Sequence, residues 1–236
     1  MLEFFRNKRV LVVVAHPDDE LLGLGASMNR LINEANIYSR VIILGEGITS
    51  RDDSRDVKAR EEELAQHRHN ATKAAKTVGY QELKIYDFPD NRFDSVPLLD
   101  IIKVIEAEKN HFRPDIIFTH HGGDVNVDHQ RAFEAVITAT RPMQHEIVRS
   151  IFTFETPSGT EWRAMTDPRH FLPNFFISFS EKNLQCKTDA MECYQYEKRG
   201  YPHPRSAKAL AIQAQRWGIS IGVEYAEAFC LVRNIF

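Results

Sequence analysis

VLVVVAHPDDELLGLG, residues Val10 to Gly25, opens as a short apolar, β-branched run and closes on the start of a helix. The run Val10 to Ala15 reads as a buried strand. Directly after it come one histidine and three acids in five residues, His16-Pro17-Asp18-Asp19-Glu20. Charge at that density beside a core strand is costly unless something compensates it, and a metal cation is the usual compensation. Pro17 stiffens the turn. His16 and Asp19 can therefore converge on one point while Asp18 stays free of it. Gly23 and Gly25 then lead into a helix at Ala26.

A second stretch repeats the arrangement. Residues 115–129 read DIIFTHHGGDVNVDH: an apolar strand, Asp115 to Thr119, a loop rich in His, Gly and Asp, and then Asp128-His129 at the start of a helix. Between and around these two stretches the chain alternates. Strands are expected at Arg40–Leu44 and Glu82–Tyr86, and helices at Gly25–Asn36, Val57–Val78, Leu98–Asn110 and His129–Thr140. Such alternation means an α/β fold, a Rossmann-like three-layer sandwich with a mostly parallel sheet. Right-handed crossovers with one reversal of winding predict strand order 3-2-1-4, followed by C-terminal strands at Ile147–Phe154, Phe175–Ser178 and Glu224–Val232. Strands one and four are then neighbours at the switch point, where ligands bind at the carboxyl ends, so the two charged loops face each other.

The C-terminal part is less regular. Glu155–Leu172 reads as a long loop anchored by Trp162. Helices are expected at Ser180–Tyr196 and Ala207–Gly218, with a Pro- and Gly-bearing turn, KRGYPHPRS, before the second. There is no repeat, low-complexity tract or linker, so residues 1–236 read as a single domain.

Composition narrows the function classes. A net charge of −3 leaves no electrostatic footprint for nucleic acid. The N-terminal apolar run is too short for a signal peptide or membrane span. Cys186, Cys193 and Cys230 form no CxxC or Cys/His zinc pattern and read as reduced thiols of a cytoplasmic protein. The expected partner is a small molecule. Composition leaves homo-oligomerisation open.

Two imidazoles and a carboxylate, His16, Asp19 and His129, suit one zinc ion per chain with a position left for water. Iron, cobalt or manganese suits the same donors. Asp18, in the same turn but off the metal, is the candidate general base. The reaction such a set supports most simply is hydrolysis of an amide or ester.

These residues resemble the PIG-L/LmbE-like zinc-dependent N-deacetylases. The AHPDDE signature stands intact at Ala15 to Glu20, and Asp128-His129 matches the later ligand motif. The resemblance covers mainly residues 8–140. It implies His16, Asp19 and His129 as ligands, Asp18 as base, and removal of an N-acetyl group from an amino sugar or sugar conjugate such as a nucleotide sugar or an antibiotic or polysaccharide precursor. It also implies that Arg60, followed by Glu63 in REEE, holds substrate hydroxyl or phosphate groups, and that Asp90 in FPDNRFD faces the sugar. One position departs from the family: Asn126 stands where many members carry a histidine. Asparagine can donate to an oxyanion but cannot deliver a proton. Protonation of the leaving amine then falls to Asp18, or to a histidine among His120, His121 and His203.

Other residues carry bland readings beside functional ones. His120 or His121 can simply cap a strand end, and His67 and His69 read as solvated on a charged helix. Arg205 either anchors its turn to an acid or binds substrate. Glu155, at a strand end, either reaches the pocket or is solvated. Two rival functions use the same features. A nucleotide-binding module is suggested by Gly23-Leu24-Gly25, but position 28, where GxGxxG needs glycine, is Met. A metal-dependent phosphoesterase would need more bridging carboxylates and two metals.

Overall fold

A computed structural model describes residues 2–235 of the protein. Helix α1 (Leu2–Phe5) precedes strand β1 (Arg9–Val14); a single turn, α2 (Asp19–Leu22), and helix α3 (Gly25–Ala35) follow. Then come β2 (Tyr38–Gly45), α4 (Glu61–Val78), β3 (Glu82–Phe88), α5 (Leu98–Phe112), β4 (Ile116–His120) and α6 (Val127–Ala139). The chain ends with β5 (Ser150–Phe154), β6 (Phe175–Phe179), α7 (Glu181–Glu192), α8 (Ala207–Ser220) and β7 (Tyr225–Asn234).

All seven strands join one sheet in the order β3-β2-β1-β4-β5-β7-β6. The first five are parallel, whereas β7 runs antiparallel to both β5 and β6. The expected α/β sandwich and its 3-2-1-4 order are both present. The two faces of β1 show why. Val10, Val12 and Val14 pack with Met28 and Leu31 of α3 and Ala71 and Val78 of α4, while Leu11 and Val13 pack with Ile101 and Ile105 of α5 and Val136 of α6. A strand buried on both faces needs an unbroken apolar run, since side chains alternate with period two. Each such side chain contributes about 1.5–3 kcal/mol on burial. The register of β1 on β4, with Val13 beside Thr119, brings the ends of both strands together at one sheet edge.

Some local expectations change. Helix α4 starts at Glu61 rather than Val57, and α6 starts at Val127 because Asn126 caps it, its side chain accepting a hydrogen bond from the Asp128 amide. Trp162 does not anchor the 155–172 loop: its side chain is 58% exposed, and Thr160, 1% exposed, takes that part. The cysteines are free. No helix among the described residues is long and apolar enough to cross a membrane.

Candidate active site

The turn after β1 is held from several sides. The His16 amide donates to Asp19 Oδ2 at 2.8 Å. Asp18 sits at φ 103°, a left-handed conformation that a non-glycine residue adopts only when its surroundings impose it. Here its amide donates to Glu20 Oε2 at 3.0 Å, and its carbonyl accepts from the amides of Leu21 and Leu22. Tyr194 Oη donates to the other Glu20 carboxylate oxygen at 2.7 Å. Burial of Glu20 raises its carboxyl pKa to about 7 against these donors. Its role is to brace the turn that presents Asp18.

His16, Asp19 and His129 converge as a candidate metal-ligand set, with one donor atom from each lying within 4.8 Å of the others. His16 Nδ1 and His129 Nε2 each stand 3.4 Å from Asp19 Oδ2. The far nitrogen of each ring faces a second carboxylate: His16 Nε2 is 2.8 Å from Asp128 Oδ2, and His129 Nδ1 is 3.1 Å from Asp124 Oδ2. The hydrogen bond to Asp128 fixes the His16 tautomer that turns the near nitrogen towards a metal, and Asp124 stands behind His129 as its counter-charge. Both supporting acids are themselves held, Asp128 by the Phe93 amide at 2.8 Å and Asp124 by Thr160 Oγ1 at 2.6 Å. A further trio of His16, Asp90 and Asp128 is also close enough to hold an ion. Both Asp128 oxygens are already engaged, however, so that trio supports His16 rather than offering a second centre.

The field at this point favours a cation. Burial alone would lower the His129 pKa, but the Asp19 and Asp124 carboxylates outweigh it and lift the ring to about 9. Burial would raise Asp19, and the neighbouring His129 leads the groups that overcome it and pull it well down. His120 stays out of the ligand set. Its Nε2 accepts from the Ala15 amide at 2.9 Å, its Nδ1 faces Thr156 Oγ1 at 3.0 Å, and its ring stacks on His129 with centroids 3.9 Å apart. Burial lowers its pKa to about 4, so it is a neutral ring that buttresses His129.

A cavity of about 280 Å³ opens beside this set, lined among others by His16, Asp18, Asp90, Asn126, His203 and Arg205. Arg205 Nη1 lies 2.9 Å from Asp18 Oδ2 and 2.9 Å from Glu197 Oε2, and its Nε donates to Ser158 Oγ at 2.7 Å. Burial pushes the Asp18 carboxyl well up and Arg205 works against that. Arg205 thus anchors its turn to two acids, one of them Asp18, and lines the cavity as well. Asn126 uses its carboxamide oxygen to cap α6 and one amide hydrogen on Asn91 Oδ1 at 2.9 Å, which leaves its second amide hydrogen unengaged by these contacts.

Three expected substrate residues lie elsewhere. Arg60 pairs with Asp52 at 2.6 Å and Glu63 at 2.8 Å on the outer face, because α4 begins after it and carries its side chain with the loop. His121 turns away to the Arg169 carbonyl at 2.7 Å and packs on Phe171. Glu155 accepts from Trp217 Nε1 in a separate small pocket behind the strand end. Conversely, His67 is not solvated: it is 1% exposed, packs against Tyr194 and lines the cavity. Glu197, Asp124 and Asp128 join the site without a motif of their own in the sequence. Asp124 and Asp128 at least stand in the same His/Asp loop as His129; nothing local in KNLQCKTDAMECYQYEKRG marks Glu197.

Residues 11–140, more than half of the chain, match the family model described as PIG-L, GlcNAc-PI de-N-acetylase. The chain belongs to the PIG-L family. Membership agrees with the resemblance carried by AHPDDE and Asp128-His129. The uncharacterized deacetylase YaiS of Escherichia coli (strain K12) is 29% identical over 193 residues, 79% of this chain and 90% of its own length. N,N'-diacetylchitobiose deacetylase from Pyrococcus horikoshii superposes with a TM-score of 0.76 at 18% identity, over 98% of this chain and 88% of that one. GalB, the 4-carboxy-2-hydroxymuconate hydratase from Pseudomonas putida KT2440, superposes with a TM-score of 0.73 at 20% identity, over 97% of this chain and 98% of that one. The fold is shared by these solved structures, and their named reactions differ, so the chemistry has to be argued from the site.

Proposed function

We propose that this chain is a zinc-dependent hydrolase that removes the acetyl group from an N-acetylated amino sugar or sugar conjugate. The observation that carries the reading is the pairing of a braced His16/Asp19/His129 set with a buried carboxylate, Asp18, that faces the same cavity without joining the set. Two nitrogen donors and one carboxylate fit zinc, and engagement of both Asp128 oxygens elsewhere favours one ion over the two of a phosphoesterase.

Bound zinc would supply Lewis acidity to the acyl carbonyl and to the attacking water. Asp18, whose burial favours the protonated acid and whose Arg205 partner opposes that, takes a proton from that water in its ionised form. Asn126 offers its remaining amide hydrogen to the oxygen on which charge develops. As the carbon–nitrogen bond breaks, the proton on Asp18 passes to the departing amine, and acetate and the free amino sugar leave. His121 is turned away and His120 is a neutral buttress, so of His120, His121 and His203 only His203 lines the cavity.

The test is acetate release from a panel of N-acetylated sugars, free and nucleotide-linked, by zinc-loaded protein beside Asp18→Asn. Release by the wild type alone supports the reading. Zinc binding without release from any sugar would overturn the sugar assignment.

A further inference from the structure

Trp162 is the large exposed aromatic on the wall of an otherwise polar cavity. It lines the same space as Asp18, yet 58% of its surface is open, while Asp18 is 1% exposed at the floor. Its indole has no hydrogen-bond partner or stacked ring among the described residues. Trp217 is the contrast: it donates to Glu155 and packs against Phe171 and Phe176.

The segment that carries Trp162 is fixed on both sides. Before it, Thr160 Oγ1 donates to Asp124 Oδ2 at 2.6 Å, and Glu161 accepts from the amides of Ser158 and Gly159. After it, Arg163 donates to the carbonyls of Gly123 and Asp124 at 2.6 and 3.0 Å. Gly159 permits the approach, since a Cβ there would stand 2.9 Å from both Asp124 oxygens. Asp124 is the acid behind His129. The backbone that carries the indole is therefore tied to the loop of Asp124, while the side chain itself stays open to the cavity. An open aromatic ring on a fixed backbone at a polar mouth suits the apolar face of a pyranose, which stacks on a ring while its hydroxyls stay wet.

We infer that Trp162 is a stacking platform for a second sugar ring, joined to the N-acetylated one, so that the substrate is a glycoside rather than a free monosaccharide. The inference rests on the deacetylase reading above, because an acetamide at the floor beside Asp18 places its own ring between floor and rim and leaves the attached ring at Trp162.

The experiment compares wild type, Trp162→Ala and Trp162→Phe on N-acetylglucosamine and N-acetylgalactosamine, each as the free sugar and as a disaccharide, with kinetics and tryptophan fluorescence titration. The alanine variant should raise KM for the disaccharides about tenfold with kcat retained, leave monosaccharide KM within about twofold, and be partly rescued by phenylalanine. Wild type should show a saturable emission change, tighter for a disaccharide, that Trp162→Phe loses. Equal KM changes for mono- and disaccharide would overturn the platform while leaving deacetylation intact. Absence of acetate release would overturn the deacetylase reading alone, and absence of any saturable fluorescence change would overturn the platform whether or not acetate is released.

Discussion

Arg205 Nη1 stands 2.9 Å from Asp18 Oδ2, joining residues 187 positions apart in the chain. The same nitrogen is shared with Glu197 at 2.9 Å. The guanidinium is therefore committed to the two acids, and its effect on the reaction runs through Asp18. Arg205→Ala should leave two buried carboxylates facing each other, costing about 3 kcal/mol of stability and lowering kcat about 10–100-fold. Arg205→Lys should restore part of the loss, because a point charge replaces the fork. Thermal melts and steady-state kinetics on the two variants check this. An alanine variant with wild-type kcat would remove Arg205 from the site.

Asp18→Asn should keep the turn, since asparagine tolerates the left-handed backbone found at this position. Metal content should stay at one per chain, and kcat should fall by about 10²–10⁴-fold. Metal analysis beside kinetics separates the two effects, and unchanged turnover would sink the base assignment.

Asp128 stands outside the His16/Asp19/His129 set and is 2.8 Å from His16 Nε2. Asp128→Asn should weaken zinc binding by about 10–100-fold through the orientation of the ring. His129→Ala should weaken it further. Competition with a chelating dye reads both affinities, and an unaltered affinity in Asp128→Asn would show that the ring is oriented by other contacts.

His67 gives the fold a pH dependence of its own. Burial lowers its pKa to about 4, with the Glu197 carboxylate opposing and Arg51 adding to the fall. The unfolded ring titrates near 6.5, so between the two values the unfolded state binds more protons. This contribution is fully present above about pH 6.5 and is lost as pH falls towards 4, to a total of about 3 kcal/mol. The difference between wild-type and His67→Gln unfolding free energies, taken from pH 8 to 4, should show that slope. A flat difference would mean that His67 titrates normally.

The sheet was legible because its signals are local. Val10–Ala15 and Asp115–Thr119 are apolar runs that only a doubly buried strand accommodates, and one reversal of winding brings their ends together. His16, Asp18 and Asp19 belong to one turn, so their separation was dictated by the backbone; His129 followed from the adjacency of β1 and β4. The rest depended on where distant segments come to lie. Arg60 and His121 look like site residues along the chain, but their rotamers and the start of α4 send them outward. Glu197 and Arg205 sit in a segment without periodicity. Only the packing of residues 193–206, which follow α7, over the carboxyl edge of the sheet sets them on Asp18. Burial likewise turned His67 from a surface residue into a neutral ring, because the desolvation that shifts its proton exists only once Tyr194 and Tyr196 close over it. Short-range order thus came from the periods of single elements, while charge pairing and protonation came from contacts that no local pattern encodes.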